Sequence, residues 1–147
     1  MYGVILLLHV LAATIWTGGH IVLSTVVLPR VLRERSPEQL LRFEGGYEKI
    51  GIPALIIQVI TGLLLAHRLL GDSGLWFDFS NPVSRLISVK LLLLGLTAAF
   101  AVDARFRLIP RLSEENLVAL TWHVIPVTIL SVLFVVVGVS FRTGWLY

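Results

Sequence analysis

Four stretches of apolar residues, each close to the length that crosses a lipid bilayer, dominate this sequence. They are Tyr2–Leu28, Ile52–Leu70, Leu86–Val102 and Leu117–Phe141. A helix needs about 20 mostly apolar residues to span the hydrocarbon core, and the third stretch reaches that length if helix extends over Val83–Phe106. The sequence therefore predicts an all-α fold, a bundle of four transmembrane helices forming a single domain over residues 1–147.

The composition agrees with a membrane protein and excludes several other classes. Hydrophobic residues make up 56% of the 147 residues and charged residues only 14%, whereas about a quarter of a soluble domain is charged. The net charge is +3, but the basic residues flank the apolar stretches, so we expect a lipid bilayer and no nucleic acid as partner. Cysteine is absent and Met1 is the only methionine, which excludes disulfides, thiolate ligands and iron–sulfur clusters. The first stretch lacks a charged start and a small-residue cleavage site, so we expect a retained helix.

The loop after the first stretch is predicted to contain a short amphipathic helix. Pro29 is expected to end the first helix, because the residue before a proline is biased away from helix. The segment Ser36-Pro37-Glu38-Gln39 has the pattern of a capping box with proline at the first helical position. It predicts a helix that runs to about Lys49 along the membrane surface, and Gly51 and Pro53 would then start the second crossing.

Four histidines lie in or beside these stretches, and ionisable residues inside a membrane usually mark a functional site. His9 and His20 are 11 positions apart, which separates them by only about 20° around the helix and roughly 16 Å along it. His67 matches the depth of His9, and His123 matches the depth of His20. We therefore predict two ligand pairs, His9–His67 and His20–His123, that would hold one or two b-type haems or another metal, since imidazole is a common ligand of haem iron, zinc and copper. The alternative for each histidine is a hydrogen bond between helices.

Basic residues near the predicted outer pair are candidates for contact with haem propionates. They are Arg68, Arg85 and Lys90. Anchoring at the membrane surface is the alternative for the two arginines. Lys90 lies a turn or more inside the third helix, so a snorkelling lysine, a propionate partner, an iron ligand and a proton-handling group all remain open. Gln58 is predicted to point about 180° away from His67 and is not assigned to the site.

Several short motifs resemble the copper-resistance D family and the related HemJ-type protoporphyrinogen oxidases. The opening motifs are Leu8-His9-Val10, Ile15-Trp16-Thr17-Gly18-Gly19 and Leu28-Pro29-Arg30, and later ones are Gly51-Ile52-Pro53, Thr61-Gly62 and Val89-Lys90-Leu91. In those families an LH motif is followed by a W-x-G segment and a helix-ending proline–arginine. The resemblance implies copper uptake or resistance for the copper group. For the HemJ type it implies that His9 is the first-helix histidine and Lys90 the haem-associated lysine of the third helix.

These observations leave competing functions. The leading hypothesis is an integral-membrane b-type cytochrome, an oxidoreductase that passes electrons between a quinol or a small oxidant and haem. A copper-binding or copper-transporting protein is the alternative, although cuprous ion prefers sulfur ligands and would have to follow a histidine-only path here. A HemJ-like protoporphyrinogen oxidase and a structural subunit are further alternatives, and a homo-oligomer is compatible with each.

The loop charges predict the orientation of the bundle. The first loop carries Arg30, Arg33, Arg35, Arg42 and Lys49, and the third carries Arg105, Arg107 and Arg111, whereas the second has Arg68 and Arg85. Cytoplasmic loops are enriched in Lys and Arg, so both termini and the second loop should face the periplasm if the protein lies in a bacterial inner membrane. Reporter fusions after Gly45 and after Ser73 should give cytoplasmic and external signals respectively. The reverse pattern would contradict this orientation.

Overall fold

The computed structural model describes all 147 residues and contains five α-helices and no strand. They are α1 (Tyr2–Val22), α2 (Leu28–Glu34), α3 (Pro37–Leu70), α4 (Pro82–Asp103) and α5 (Leu117–Thr143). Short π and 3-10 turns extend some of them, so that four continuous helical rods are long and apolar enough to cross a membrane. These crossings are Tyr2–Glu34, Pro37–Leu70, Pro82–Arg111 and Leu117–Thr143. The predicted all-α bundle of four transmembrane helices is confirmed, and the chain is an integral membrane protein.

The first crossing does not end at Pro29, contrary to the prediction. A π turn over Leu23–Val27 joins α1 to α2, and the backbone N–H of Leu28 donates to the carbonyl of Leu23, five residues back. A proline inside a regular α-helix clashes with the carbonyl four residues earlier, and the wider π turn relieves that clash. The rod therefore continues to Arg35, whose left-handed backbone (φ 49°) ends it.

The predicted amphipathic helix is likewise not a separate element. It forms the first part of α3, which runs without a break through Pro53 to Leu70. Pro37 does occupy the first turn of α3, but the Ser36 hydroxyl donates to the Glu38 carboxylate (3.0 Å) and caps no backbone N–H. Proline is tolerated in membrane helices because neighbouring groups satisfy the freed backbone atoms, so Pro53 does not interrupt the rod.

The two halves of the bundle are packed differently. The loop end, which carries Arg35 and Arg111, contains a core of eight buried residues: Leu23, Leu28, Val31, Leu40, Leu108, Leu117, Leu120 and Val124. The terminal end carries Met1 and Tyr147. Along the bundle α1 packs against α3 and α5, and α4 packs against α5, but α3 and α4 scarcely touch. This gap gives the terminal half room for the cavity described below.

Hydrogen bonds between crossings tie the bundle together at mid-depth. The Thr17 hydroxyl on α1 donates to the Ser131 carbonyl on α5 (3.3 Å). Tyr47 on α3 donates from its hydroxyl toward the carbonyls of Ile15 (3.2 Å) and Trp16 (3.1 Å). Such bonds stabilise helix association in lipid, where there is no hydrophobic force between helices.

The Tyr47 ring lies in a notch that Gly19 leaves open on α1. A Cβ atom at Gly19 would come within 2.1 Å of the ring, whereas a Cβ atom at Gly18 would meet nothing within 4 Å. Replacing Gly19 with a larger residue must therefore displace Tyr47 and break its hydrogen bonds to α1.

We predict that Gly19→Ala lowers the free energy of unfolding by about 2 kcal/mol, because overpacking and a lost hydrogen bond each cost about 1 kcal/mol or more. Gly18→Ala is the matched control and should stabilise the helix by about 0.5–1 kcal/mol, since alanine favours helix over glycine. Unfolding of each purified variant in detergent measures the difference. Equal stability of the two variants would show that the notch is not needed.

Candidate functional site

A cavity of about 730 Å³ lies in the terminal half of the bundle, and all four crossings contribute to its walls. Nineteen of its 28 lining residues are hydrophobic, which is typical of a site for a small molecule or cofactor with a few polar groups that fix its orientation. The polar side chains most relevant to chemistry are His9, Gln58 and Lys90. Each of them comes from a different crossing.

His9 presents one bare ring nitrogen in this cavity. Its Nδ1 lies 3.0 Å from the Thr61 hydroxyl oxygen, and that hydroxyl donates its single hydrogen to the Ile57 carbonyl, with 2.6 Å between the two oxygen atoms. Because the Thr61 hydrogen goes to this carbonyl, the hydroxyl oxygen accepts and His9 Nδ1–H donates. The Nε2 lone pair is left without a protein partner, and a histidine that binds a metal is commonly oriented in this way by its other ring N–H.

Lys90 reaches the same cavity from α4. Its Nζ atom lies 5.7 Å from the centre of the Phe141 ring, a distance at which an aromatic face attracts a cation. No carboxylate pairs with it. A Cβ atom at Gly138 would come within 3.4 Å of Nζ, and one at Gly62 within 3.1 Å of the His9 ring. The two glycines therefore keep space free beside His9 and Lys90.

Gln58 and Trp16 were missed as site residues by the sequence analysis. Each is only 8% exposed, each lines the cavity, and the Gln58 Oε1 and Trp16 Nε1 atoms have no hydrogen-bond partner. Gln58 was excluded because it points away from His67. Thr61 shows better than His67 which side of α3 faces the site, because it lies three residues after Gln58 and contacts His9.

The predicted His9–His67 pair is not brought together. His67 is exposed on α3 and is not among the residues that line the cavity of His9. Arg68 and Arg85 are also exposed outside the cavity, and Arg68 lies over the ring of Tyr2 (5.7 Å). Depth alone matched His67 to His9, whereas the side of α3 that faces the bundle carries Thr61 and Gln58.

The predicted His20–His123 pair does not share a cavity either. His20 donates from Nδ1 to the Trp16 carbonyl (2.9 Å) and packs against the rings of Trp16 and Tyr47, with ring centres 4.4 and 5.9 Å away. These contacts are those of a buried histidine that fastens α1 to α3. The ring hydrogen bond of His20 stays within α1, and its contact with α3 is the edge-on packing against Tyr47.

His123 has protein partners on both ring nitrogens. Nδ1 contacts the Ala119 carbonyl (3.2 Å), and Nε2 contacts the Asp103 carboxylate (2.5 Å), which also accepts from Arg107 (2.9 Å). Both ring nitrogens therefore face protein oxygen atoms, and neither is turned toward an open site for a metal. Across the chain, no three His, Asp or Glu side chains come together as a metal site.

Comparison with known proteins identifies the family. A family model described as copper resistance protein D matches residues 41–141, which covers most of α3 and all of α4 and leaves out α1 with His9. No curated protein and no solved structure matches the chain significantly. Since the match spans more than two thirds of the sequence and the four apolar helices agree with it, the chain belongs to the copper resistance protein D family.

Proposed function

We propose that this chain is a copper-handling membrane protein in which His9 provides the contact with the ion. The observation that carries the proposal is the bare Nε2 atom of His9, held toward a large cavity by the bond from Nδ1–H to Thr61. Imidazole is a good copper ligand, and membership of the copper resistance protein D family supports copper as the metal.

The surroundings of His9 suit a transported ion better than a stored one. The cavity offers one imidazole and no sulfur ligand, and the Lys90 ammonium shares it. A second positive charge in a medium of low dielectric opposes a bound cation. Copper would therefore bind weakly and exchange, as conduction through a membrane requires a site that the ion can also leave.

The orientation predicted from the loop charges complements this proposal. With both termini in the periplasm, the terminal half of the bundle and its cavity lie in the outer half of the membrane. Copper arriving from the periplasm would then meet His9 before it reached the packed loop end.

We predict that His9→Ala abolishes the nitrogen-coordinated cupric signal in electron paramagnetic resonance of the purified, copper-loaded protein in detergent. Thr61→Val, which removes the acceptor of His9 Nδ1–H, should weaken copper binding by about 10- to 100-fold. His67→Ala is the matched control and should bind copper like the wild type, because His67 lies outside the cavity. Loss of the signal in His67→Ala with retention in His9→Ala would overturn the proposal.

Lys90→Leu should change copper binding in the opposite direction. Removing the positive charge from the cavity, without adding a sulfur ligand, is expected to tighten binding by about tenfold, equivalent to about 1.4 kcal/mol. A copper titration followed by the same cupric signal measures the change. Weaker binding in Lys90→Leu would mean that the lysine contributes a ligand and that its charge does not oppose the ion.

The volume of the cavity favours haem b as a second candidate, bound through the Nε2 atom of His9. A space of about 730 Å³ with mostly apolar walls fits a large flat cofactor, and Lys90 offers a positive charge to a propionate. Bound haem would supply one-electron chemistry, with His9 holding the iron. An absorption spectrum of the purified protein before and after reduction separates the candidates: a haem band lost in His9→Ala supports haem, and its absence from protein made with ample haem excludes it.

A further inference from the structure

Unpartnered polar atoms are concentrated around the cavity. Five buried side-chain nitrogen or oxygen atoms in the chain have no hydrogen-bond partner, and three of them belong to residues that line it: Trp16, Gln58 and Trp76. A buried polar group without a partner is costly, and inside a bilayer no bulk water compensates for it. The Lys90 ammonium in the same cavity also lacks an anionic partner. A copper ion at His9 would satisfy none of the donors among them, which are the two indole N–H groups and the Lys90 ammonium.

The cavity is elongated and open on the lipid-facing surface. On α1 its lining runs from Tyr2 to Gly18, about 24 Å at 1.5 Å per residue. Some lining residues are also at least 39% exposed on the outside of the bundle, among them Val10, Leu63 and Val139. These exposed lining residues give an apolar molecule in the hydrocarbon access to the cavity.

We propose that this cavity binds a membrane quinone, with the ring beside Gln58 and Lys90 and the apolar tail along the α1 wall. A quinone carries two carbonyl acceptors on an otherwise apolar ring. The Lys90 ammonium donates to one carbonyl, and the Gln58 amide, which carries both a donor and an acceptor, serves the oxidised and the reduced ring alike. The proposal adds a second ligand to the cavity and does not depend on copper binding at His9.

A lipid acyl chain is the main competing occupant. It would fill the slot and match its apolar walls, but it would leave Gln58 and Lys90 without partners. A phospholipid headgroup would satisfy Lys90 but belongs at the membrane surface, whereas Lys90 lies eight residues into α4, about 12 Å from its end. A quinone ring offers an acceptor to Lys90 and, once reduced, a hydroxyl donor to the Gln58 Oε1 atom at this depth.

The test uses the full-length, metal-free protein in detergent, titrated with decylubiquinone while its tryptophan fluorescence is recorded. Saturable quenching is expected, and Trp16→Phe should remove a large part of it because Trp16 lines the cavity. Trp122→Phe is the control, since Trp122 is 74% exposed and outside the cavity, and it should keep the binding curve. Absence of saturable quenching in the wild type would overturn the proposal.

Variants of the polar groups test recognition of the ring. Gln58→Leu should raise Kd by about fivefold and Lys90→Leu by about tenfold or more. Thr97→Val removes an unpartnered hydroxyl on α4 outside the cavity and should leave Kd unchanged. Equal quinone affinity in all three variants, with equal displacement by oleate, would identify an acyl-chain slot and overturn the proposal. Lys90→Leu also separates the two ligands, because it should weaken quinone binding and tighten copper binding.

Discussion

The hydrogen bond from His9 to Thr61 determines what the cavity can bind. In hydrocarbon a polar group must find its partner within the protein, and Thr61 has already given its hydrogen to the Ile57 carbonyl. It can therefore only accept from His9, which fixes the ring tautomer and turns the free lone pair away from α3. The same bond joins the first two crossings beside the cavity, so one contact sets both the packing and the chemistry.

The two ends of the bundle differ in their roles: one provides tight packing and the other provides the cavity. The loop end is held by a continuous cluster of buried leucines and valines, and Tyr47 in the notch at Gly19 holds α1 to α3 at mid-depth. The terminal end contains an apolar cavity, walled by all four crossings, beside the sparsely packed pair α3 and α4. Because the loop end is tightly packed, the fold does not depend on contacts between α3 and α4, and the terminal end can stay open to a ligand.

The lengths of the apolar stretches predicted the four crossings. The expectation that helices end or begin at the prolines was wrong. Pro29 and Pro53 lie inside continuous rods, because a π turn and neighbouring helices absorb the strain that ends a helix in water. For the site, helix periodicity gave the depth of each histidine without showing which helices are neighbours. Depth therefore paired His9 with His67, which faces outward, while Lys90 and Gln58 come into the cavity from faces that only the tertiary packing reveals.

The state of the His9 ring is the central claim and can be observed directly. Solid-state ¹⁵N NMR of the histidine-labelled protein in bilayers resolves protonated from bare ring nitrogens, and the chain has only four histidines. We expect His9 to carry hydrogen on Nδ1 and none on Nε2, and added copper to broaden its Nε2 resonance while those of His67 and His123 stay sharp. A hydrogen on His9 Nε2, or broadening confined to the other histidines, would contradict the account.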